Sequence, residues 1–308
     1  MSIFLMVVLA LLLDRVFGEP EEVWNRIPHP ATIMGRAVNT VDEMLNRGPQ
    51  RQVMGFVAAA ILVVIAGVLG FIVQWIPDFG VLEILGAAVL LAHKSLVDHV
   101  KDVAEALRNG LPQARNAVSL IVGRDTGEMD DSAVSRAAIE SAAENFSDGV
   151  VAPAFWFLIL GLPGILIYKI VNTADSMIGY QNEEYAEFGY ASAKLDDLLN
   201  WIPARITAGL ICLAHLDRAA MDVVFEDADL HRSPNAGWPE AAMAGVIGVA
   251  LSGPRSYAGQ KTEDPFVNSK GKRDIGADDI ERAVDALNRS WAAMVGVLVV
   301  PVLLILIF

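Results

Sequence analysis

The stretch VMGFVAAAILVVIAGVLGFIVQWI, Val53 to Ile76, runs for 24 residues without a charge. At about 1.5 Å rise per residue, a helix of this length crosses the roughly 30 Å hydrocarbon core of a bilayer with tilt to spare. No Lys or Arg occurs from Gln52 to His93. Composition agrees: 54% of the 308 residues are hydrophobic and 19% charged, against about 25% charged in soluble chains. A purely soluble protein is excluded.

Outward from this run, Pro77-Asp78-Phe79-Gly80 reads as a tight turn, so Val81–Ala92 forms a helical hairpin with it. Further apolar segments are Ile3–Phe17, Val150–Val171 and Trp291–Phe308, and Ile202–Leu213 and Ala241–Leu251 are too short to span unaided. Every Lys and Arg lies between Arg15 and Arg51 or between Lys94 and Arg289. The positive-inside rule makes both regions cytoplasmic and places the termini and the Asp78 turn outside. Four spans satisfy this: Ile3–Phe17, Val53–Ile76, Val81–Ala92 and Trp291–Phe308. Val150–Val171 is left without a crossing. Gly161-Leu162-Pro163-Gly164 breaks it at the middle, as a re-entrant or surface hairpin requires; the alternative is a kinked fifth span.

Elsewhere the period is helical. Leu96, Val100, Val103 and Leu107 lie three or four apart, as do Ile280, Val284, Leu287 and Trp291, and nothing reads as alternating strand. Lys261–Gly276 reads as a polar linker. The predicted fold is all-α: a polytopic integral membrane protein with about four spanning helices, a re-entrant or surface hairpin, and cytoplasmic amphipathic helices. It is one membrane-embedded domain over 1–308, with an N-terminal helix and hairpin (1–100), a cytoplasm-facing catalytic region (101–290) and a C-terminal membrane helix (291–308). The N-terminal apolar run meets Asp14-Arg15 where a small-residue cleavage site would stand, and so reads as a retained membrane helix. A net charge of −14, from 23 basic and 37 acidic residues, argues against a nucleic-acid partner. The single Cys212 excludes an intrachain disulfide and any multi-cysteine metal site.

Acids and amides crowd the central third. Asn145 and Asp148, Asn172 and Asp175, and Asp197 and Asn200 are each three apart, so each pair presents oxygen ligands on one helix face. Glu140, Glu144 and Asp148 form an i, i+4, i+8 stripe, and Asp196 doubles the charge of the third pair. Such ligands suit Mg²⁺ or Ca²⁺, and Mg²⁺ typically arrives with phosphates. Capping and solvated loop acids are the bland reading of any one pair; three pairs together favour a site. One site using both Asp148 and Asp175 requires the hairpin, because a spanning segment would put them roughly 30 Å apart. Arg205, Arg255, Lys194 and Arg124 are candidates to hold anions, against snorkelling for Arg205 and Lys194 and solvated charge for the other two. His29, in His29-Pro30, is a candidate base or anion donor, though a lone His is more often structural. Ser233-Pro234-Asn235-Ala236-Gly237 has helix-start chemistry that suits phosphate or simple capping.

Three blocks carry a resemblance. They are Glu-Ser-Ala-Ala-Glu-Asn-Phe-Ser-Asp-Gly-Val-Val-Ala-Pro (140–153), Tyr-Lys-Ile-Val-Asn-Thr-Ala-Asp-Ser-Met-Ile-Gly-Tyr (168–180) and Lys-Leu-Asp-Asp-Leu-Leu-Asn-Trp-Ile-Pro-Ala-Arg (194–205). All three resemble the central signature of the CbiB/CobD cobalamin-biosynthesis family of membrane proteins. The likeness continues in Asp14…Gly18-Glu19-Pro20, His29-Pro30, Gly123-Arg124-Asp125 and Ser233–Glu240, from about residue 10 to about 260. Glu19 stands where Asp is usual, Lys194 where Arg is common, and Ser252 where a second Gly is common.

The resemblance implies an adenosylcobinamide-phosphate synthase of the bacterial inner membrane, with its active site facing the cytoplasm. Such a ligase uses ATP and Mg²⁺ to join adenosylcobyric acid to (R)-1-aminopropan-2-ol or its O-phosphate. Membrane lipid and other membrane enzymes of the same assembly are the expected partners. The implied catalytic residues are Glu144, Asp148, Asp175, Asp197 and Arg205, with Asp148, Asp175 and Asp197 on the metal. Asn145, Asn172, Asp196, Asn200, Lys194, Arg124 and His29 are the implied ligand-binding residues. Two alternatives stay open: an intramembrane prenyltransferase, for which Asp196-Asp197-Leu198-Leu199-Asn200 loosely resembles a diphosphate motif, and a transporter, which predicts inverted halves that the hydropathy does not display.

Overall fold

A computed structural model describes residues 1–257 and 260–307; Phe308, the end of the expected last span, lies outside the described residues. The chain is mostly helical. In order come α1 (Ile3–Phe17), α2 (Glu21–Trp24), α3 (Pro30–Leu45), α4 (Arg51–Gln74) and α5 (Val81–Leu90). Next are α6 (His93–Asn109), α7 (Leu111–Ser119), α8 (Asp131–Phe146), a π-helical turn (Ser147–Val151) and α9 (Ala152–Ile178). Then follow α10 (Tyr190–His215), α11 (Arg218–Asp227), α12 (Gly237–Ile247), strands β1 (Leu251–Tyr257) and β2 (Gln260–Val267), and α13 (Ala277–Ile307).

The chain forms two compact units interleaved in sequence, where the sequence reading placed a single domain. The first holds residues 1–93, 148–201 and 298–308; the second holds 94–147 and 202–297. Within the first unit α4 packs along α9, and α1 packs on α5. The buried Asp14 carboxylate accepts the His93 N–H at 2.9 Å, satisfying a donor freed where α5 gives way to α6 at Leu91-Ala92. In the second unit α12 packs on α11 and α8, and β1 pairs antiparallel with β2.

Among the described residues four helical stretches are long and apolar enough to cross a membrane: Arg51–Gln74, Asp131–Ile178, Tyr190–His215 and Ala277–Ile305. These features mark an integral membrane protein. The set differs from the predicted four. The helix at Ile3–Phe17 has 15 residues and that at Val81–Leu90 has 10, about 22 and 15 Å of rise, so neither reaches across a bilayer by itself. In their place the short Ile202–Leu213 segment is the end of the 26-residue α10, which begins at Tyr190. Pro203 therefore sits inside a helix, not at its start. Strand pairing is also new. The Leu251–Val267 hairpin lacks an apolar-polar alternation because Ser252, Gly253 and Pro254 interrupt it, with a register irregularity between Ser252 and Pro254.

The break at Gly161 is a reversal. Helical assignment runs through it, but Gly161 has φ 66° and ψ −151°, a conformation that only glycine adopts without strain. The Tyr168 hydroxyl lies 3.0 Å from the Asp148 carbonyl oxygen; along one straight helix that separation would be about 30 Å. A Cβ at Gly164 would strike the Trp156 carbonyl oxygen. Ala152–Ile178 is thus a helical hairpin. Its tip meets the C-terminal end of α4, where the Gln74 side chain lies against Gly161. Asp148 and Asp175 both lie at the hairpin's base.

Candidate functional site

Folding back the hairpin turns local sequence pairs into a connected polar chain in the first unit. The half-buried Asp196 accepts from Asn172 Nδ2 at 3.2 Å and from Asn200 Nδ2 at 2.9 Å. Asn200, itself buried, places its Oδ1 2.9 Å from the Tyr168 hydroxyl, whose other neighbour is the Asp148 carbonyl. Asp148, Asp175 and Asp196 all lie within electrostatic reach of Tyr168, and Asp175 within reach of Asp197. Trp156 adds an N–H to the Leu199 carbonyl at 3.1 Å, fastening the first arm of the hairpin to α10. Lys169 stands near Asp148 and Glu19.

The pairing differs from the expected one in two places. Asn200 bonds Asp196, four residues away, rather than sharing a face with Asp197. Asp197 is instead bonded by the exposed Lys194 at 2.9 Å. Consecutive helical residues point about 100° apart, so the two aspartates take different hydrogen-bond partners, although both stay within electrostatic reach of Asp175. The donors here are carboxylates, carboxamides and a phenol, which suit Mg²⁺ over softer metals. Among the described residues no three His, Cys, Asp or Glu side chains form a group able to hold a metal ion. Asp148, Asp175 and Asp197 are therefore not a ready-made three-carboxylate cage. The set fits an ion that takes one or two protein carboxylates and completes its shell with phosphate and water.

His29 caps α3: its Nδ1 accepts from Ala31 N–H at 3.1 Å, and its ring meets Trp24 edge-on.

The second unit holds a buried charge network. Glu140 Oε2 takes Arg124 Nη2 at 2.5 Å, and its Oε1 accepts Ser252 N–H at 2.6 Å and faces Arg255 Nη2 at 3.4 Å. The Arg124 and Arg255 side chains are 9% and 7% exposed, so solvated charge is the wrong description of either. Ser252 has φ 60°, the left-handed region that favours glycine, and its N–H bond to Glu140 holds it there. Glu240 Oε1 lies 3.6 Å from His231 Nε2. His231 Nδ1 accepts from Ser233 N–H, so the neutral ring carries its proton on Nε2, toward Glu240. Burial, then the charges of Glu140 and Glu144, hold the Glu240 carboxyl well above the usual carboxylate range. Burial, then Arg255, holds His231 below the usual imidazole value.

Arg205 stacks over the Trp238 ring at 4.4 Å and donates to Asn235 Oδ1 at 3.3 Å, which joins it to the Ser233–Glu240 block. In that block Ser233 Oγ accepts from Asn235 and Ala236 N–H groups at 3.2 Å, the capping form of helix-start chemistry. Glu144 and Asn145 are exposed, and Asn145 Nδ2 donates back to the Ser141 carbonyl at 2.9 Å. The Glu140–Glu144–Asp148 stripe loses its spacing where the helix widens to a π turn at Ser147. Tyr168, Lys169, Arg136, His231 and Glu240 are not singled out by the sequence; Tyr168, Lys169 and Glu240 lie inside resembling blocks, whereas Arg136 and His231 carry no such signal.

The family model described as CobD/Cbib protein matches residues 7–287. A cobalamin biosynthesis protein CobD of Rhizobium meliloti (strain 1021) is 48% identical, covering all of this chain and 99% of the relative. The protein of that name from Sinorhizobium fredii is 46% identical over 99% of each chain, and that from Rhodobacter capsulatus 44% over 96% of each. No solved structure matches this chain. With a family model over most of its length and full-length relatives near half identity, the chain belongs to the CobD/Cbib family.

Proposed function

We propose that the protein acts in cobalamin biosynthesis as a ligase, forming an amide between adenosylcobyric acid and (R)-1-aminopropan-2-ol or its O-phosphate at the expense of ATP. The observation that carries this reading is the polar chain Asn172–Asp196–Asn200–Tyr168–Asp148, built from blocks 140–153, 168–180 and 194–205, in a chain of this family. A carboxylate is a poor acyl donor because its leaving group is oxide. Transfer of the γ-phosphoryl group gives an acyl phosphate; the amine then displaces phosphate as the C–N bond forms and its proton leaves to a base.

One or two of the carboxylates Asp148, Asp175, Asp196 and Asp197 would hold Mg²⁺, which when bound supplies charge for phosphoryl transfer. Asn172 and Asn200 fix the Asp196 carboxylate in one rotamer, so it meets a ligand without reorganising. Glu144, Asn145 and Lys194 lie exposed, where they would meet substrate groups. Arg124 and Arg205 serve anionic groups, and Arg205 is held over the Trp238 ring with Nη1 on Asn235 Oδ1 and Nη2 on the Pro234 carbonyl. In this reading the chemistry faces the cytoplasm at the inner membrane, on the side of the Lys- and Arg-bearing residues 94–289.

The test is purified protein in nanodiscs with adenosylcobyric acid, MgATP and each form of the amine. Mass spectrometry should detect the amide, and nucleotide cleavage should require all three substrates. Absence of the amide with both amine forms overturns the reading.

A further inference from the structure

A cavity of about 810 Å³ opens in the second unit between the loop after Arg124, the first turns of α8 and the β-hairpin. Three guanidinium groups line it: Arg124, Arg136 and Arg255. Glu140 is the buried acid that Arg124 and Arg255 share, Glu240 lies 3.9 Å from Arg255, Asp130 is within electrostatic reach of Arg136, and the loop acids Asp125 and Glu128 are exposed. Arg136 is within electrostatic reach of the other two arginines and of Glu140. It rests on the Phe266 face at 5.3 Å, with Arg273 over the same ring at 4.4 Å. Its Nη1 is buried and has no hydrogen-bond partner among the described residues.

A buried guanidinium N–H without an acceptor is costly, and an anionic oxygen is the acceptor that best repays it. Several guanidiniums around one space suit an anion carrying more than one charge, with oxygens in several directions. We propose that this cavity is a phosphoryl-binding site, in which Arg136 Nη1 donates to a phosphate oxygen of the ligand while Arg124 and Arg255, braced by Glu140, supply the surrounding charge. The volume is in the range of small-molecule sites, about 300–1,000 Å³, and has room for much more than a phosphate group. The assignment deepens the ligase reading and rests on it for the two sources of such a group: a nucleoside triphosphate, which the volume favours, or the O-phosphate of the amine.

The experiment uses the full chain in nanodiscs and reads binding rather than amide formation. Arginines are labelled with phenylglyoxal and followed by peptide mass spectrometry, alone and with ATP, pyrophosphate, aminopropanol O-phosphate, adenosine or aminopropanol. Labelling of Arg136 should slow with ATP or with the amine phosphate, and the two unphosphorylated compounds should leave it unchanged. Which phosphate protects identifies the source. Arg136→Gln should weaken binding of that ligand roughly tenfold to a hundredfold, and Arg136→Lys less. Protection by adenosine equal to that by ATP overturns the proposal, as does absence of protection by all three phosphates in the wild-type protein. Folded Arg136→Gln with wild-type affinity overturns it too. A protein that passes these tests but makes no amide contradicts the ligase reading alone.

Discussion

The Tyr168 hydroxyl sits 3.0 Å from the Asp148 carbonyl oxygen, across a hairpin whose two arms are 20 residues apart at that point. One contact settles which kind of segment Val150–Val171 is, because no straight helix brings these atoms together. The prediction is that Asp148 and Asp175 lie on the same side of the membrane. In a Cys212→Ala background, cysteines placed at 148 and at 175 should react with an impermeant maleimide from the same side. Labelling from opposite sides would break both the hairpin and the site built on it.

The hairpin's tip makes a second demand. Gly161 combines φ 66° with a position where a Cβ would come within 2.7 Å of Gln74 Oε1. Gly161→Ala should lower the thermal midpoint, by about 1–2 kcal/mol of strain, and Gln74→Ala in the same chain should recover only the steric part. An Ala variant as stable as wild type would mean that the reversal lies elsewhere.

Among the acids, geometry ranks two neighbours that sequence leaves equal. Asp196 is held by two carboxamides, whereas Asp197 bonds the exposed Lys194. Asp196→Asn should therefore lose most amide formation, on the order of a hundredfold, and Asp197→Asn clearly less. If Asp175 and Asp196 hold the same ion, the double variant should be scarcely worse than the worse single one. Full activity of Asp196→Asn would remove it from the site.

What could be read from sequence divides along the range of the interaction. The uncharged Val53–Ile76 run and the Gly161–Gly164 break are local signals, and α4 and the hairpin follow them. The set of long apolar helices differs from the expected spans where helix length departs from run length: Val81–Ala92 stops being helical at Leu91, where the Ala92 N–H turns to the Gly149 carbonyl. The β-hairpin gave no periodic signal. Burial of Arg124 and Arg255 was equally hidden, because it depends on Glu140 meeting Ser252 across 112 residues. Asp196, Asn172 and Asn200 are each legible in the sequence, but their pairing is not, since one partner lies on α9 and the other at i+4 rather than i+3.

Arg205 offers a test of what its surroundings are for. An ammonium retains the charge and snorkels equally well, but it loses the planar group that lies on Trp238 and the fork that reaches Asn235. Arg205→Lys should lower kcat/KM roughly tenfold or more with protein stability little changed. The substrate whose KM rises identifies the anion it serves. Unchanged kinetics for every substrate would leave Arg205 a purely structural residue.

The Glu240 carboxyl, 2% exposed beside His231, ties stability to pH. Its ordinary value of 4.5 is raised well upward by burial and by Glu140 and Glu144, so the folded protein keeps a proton that the unfolded chain has already released. The sign follows from proton binding. Below about pH 4.5 both states hold the proton and no penalty arises. As pH rises past that point the folded state binds more protons than the unfolded one, and stability falls until the folded carboxyl ionises. Glu240→Gln has no proton to lose. Its thermal midpoint at a fixed heating rate should match wild type near pH 4.5 and exceed it increasingly toward pH 8, by about 2–4 °C per kcal/mol relieved. His231, held below its usual value by burial, stays neutral over the upper part of that range and does not cancel the trend. A midpoint difference independent of pH would show that Glu240 is ionised in the folded protein, with Arg255, 3.9 Å away, as its counter-charge.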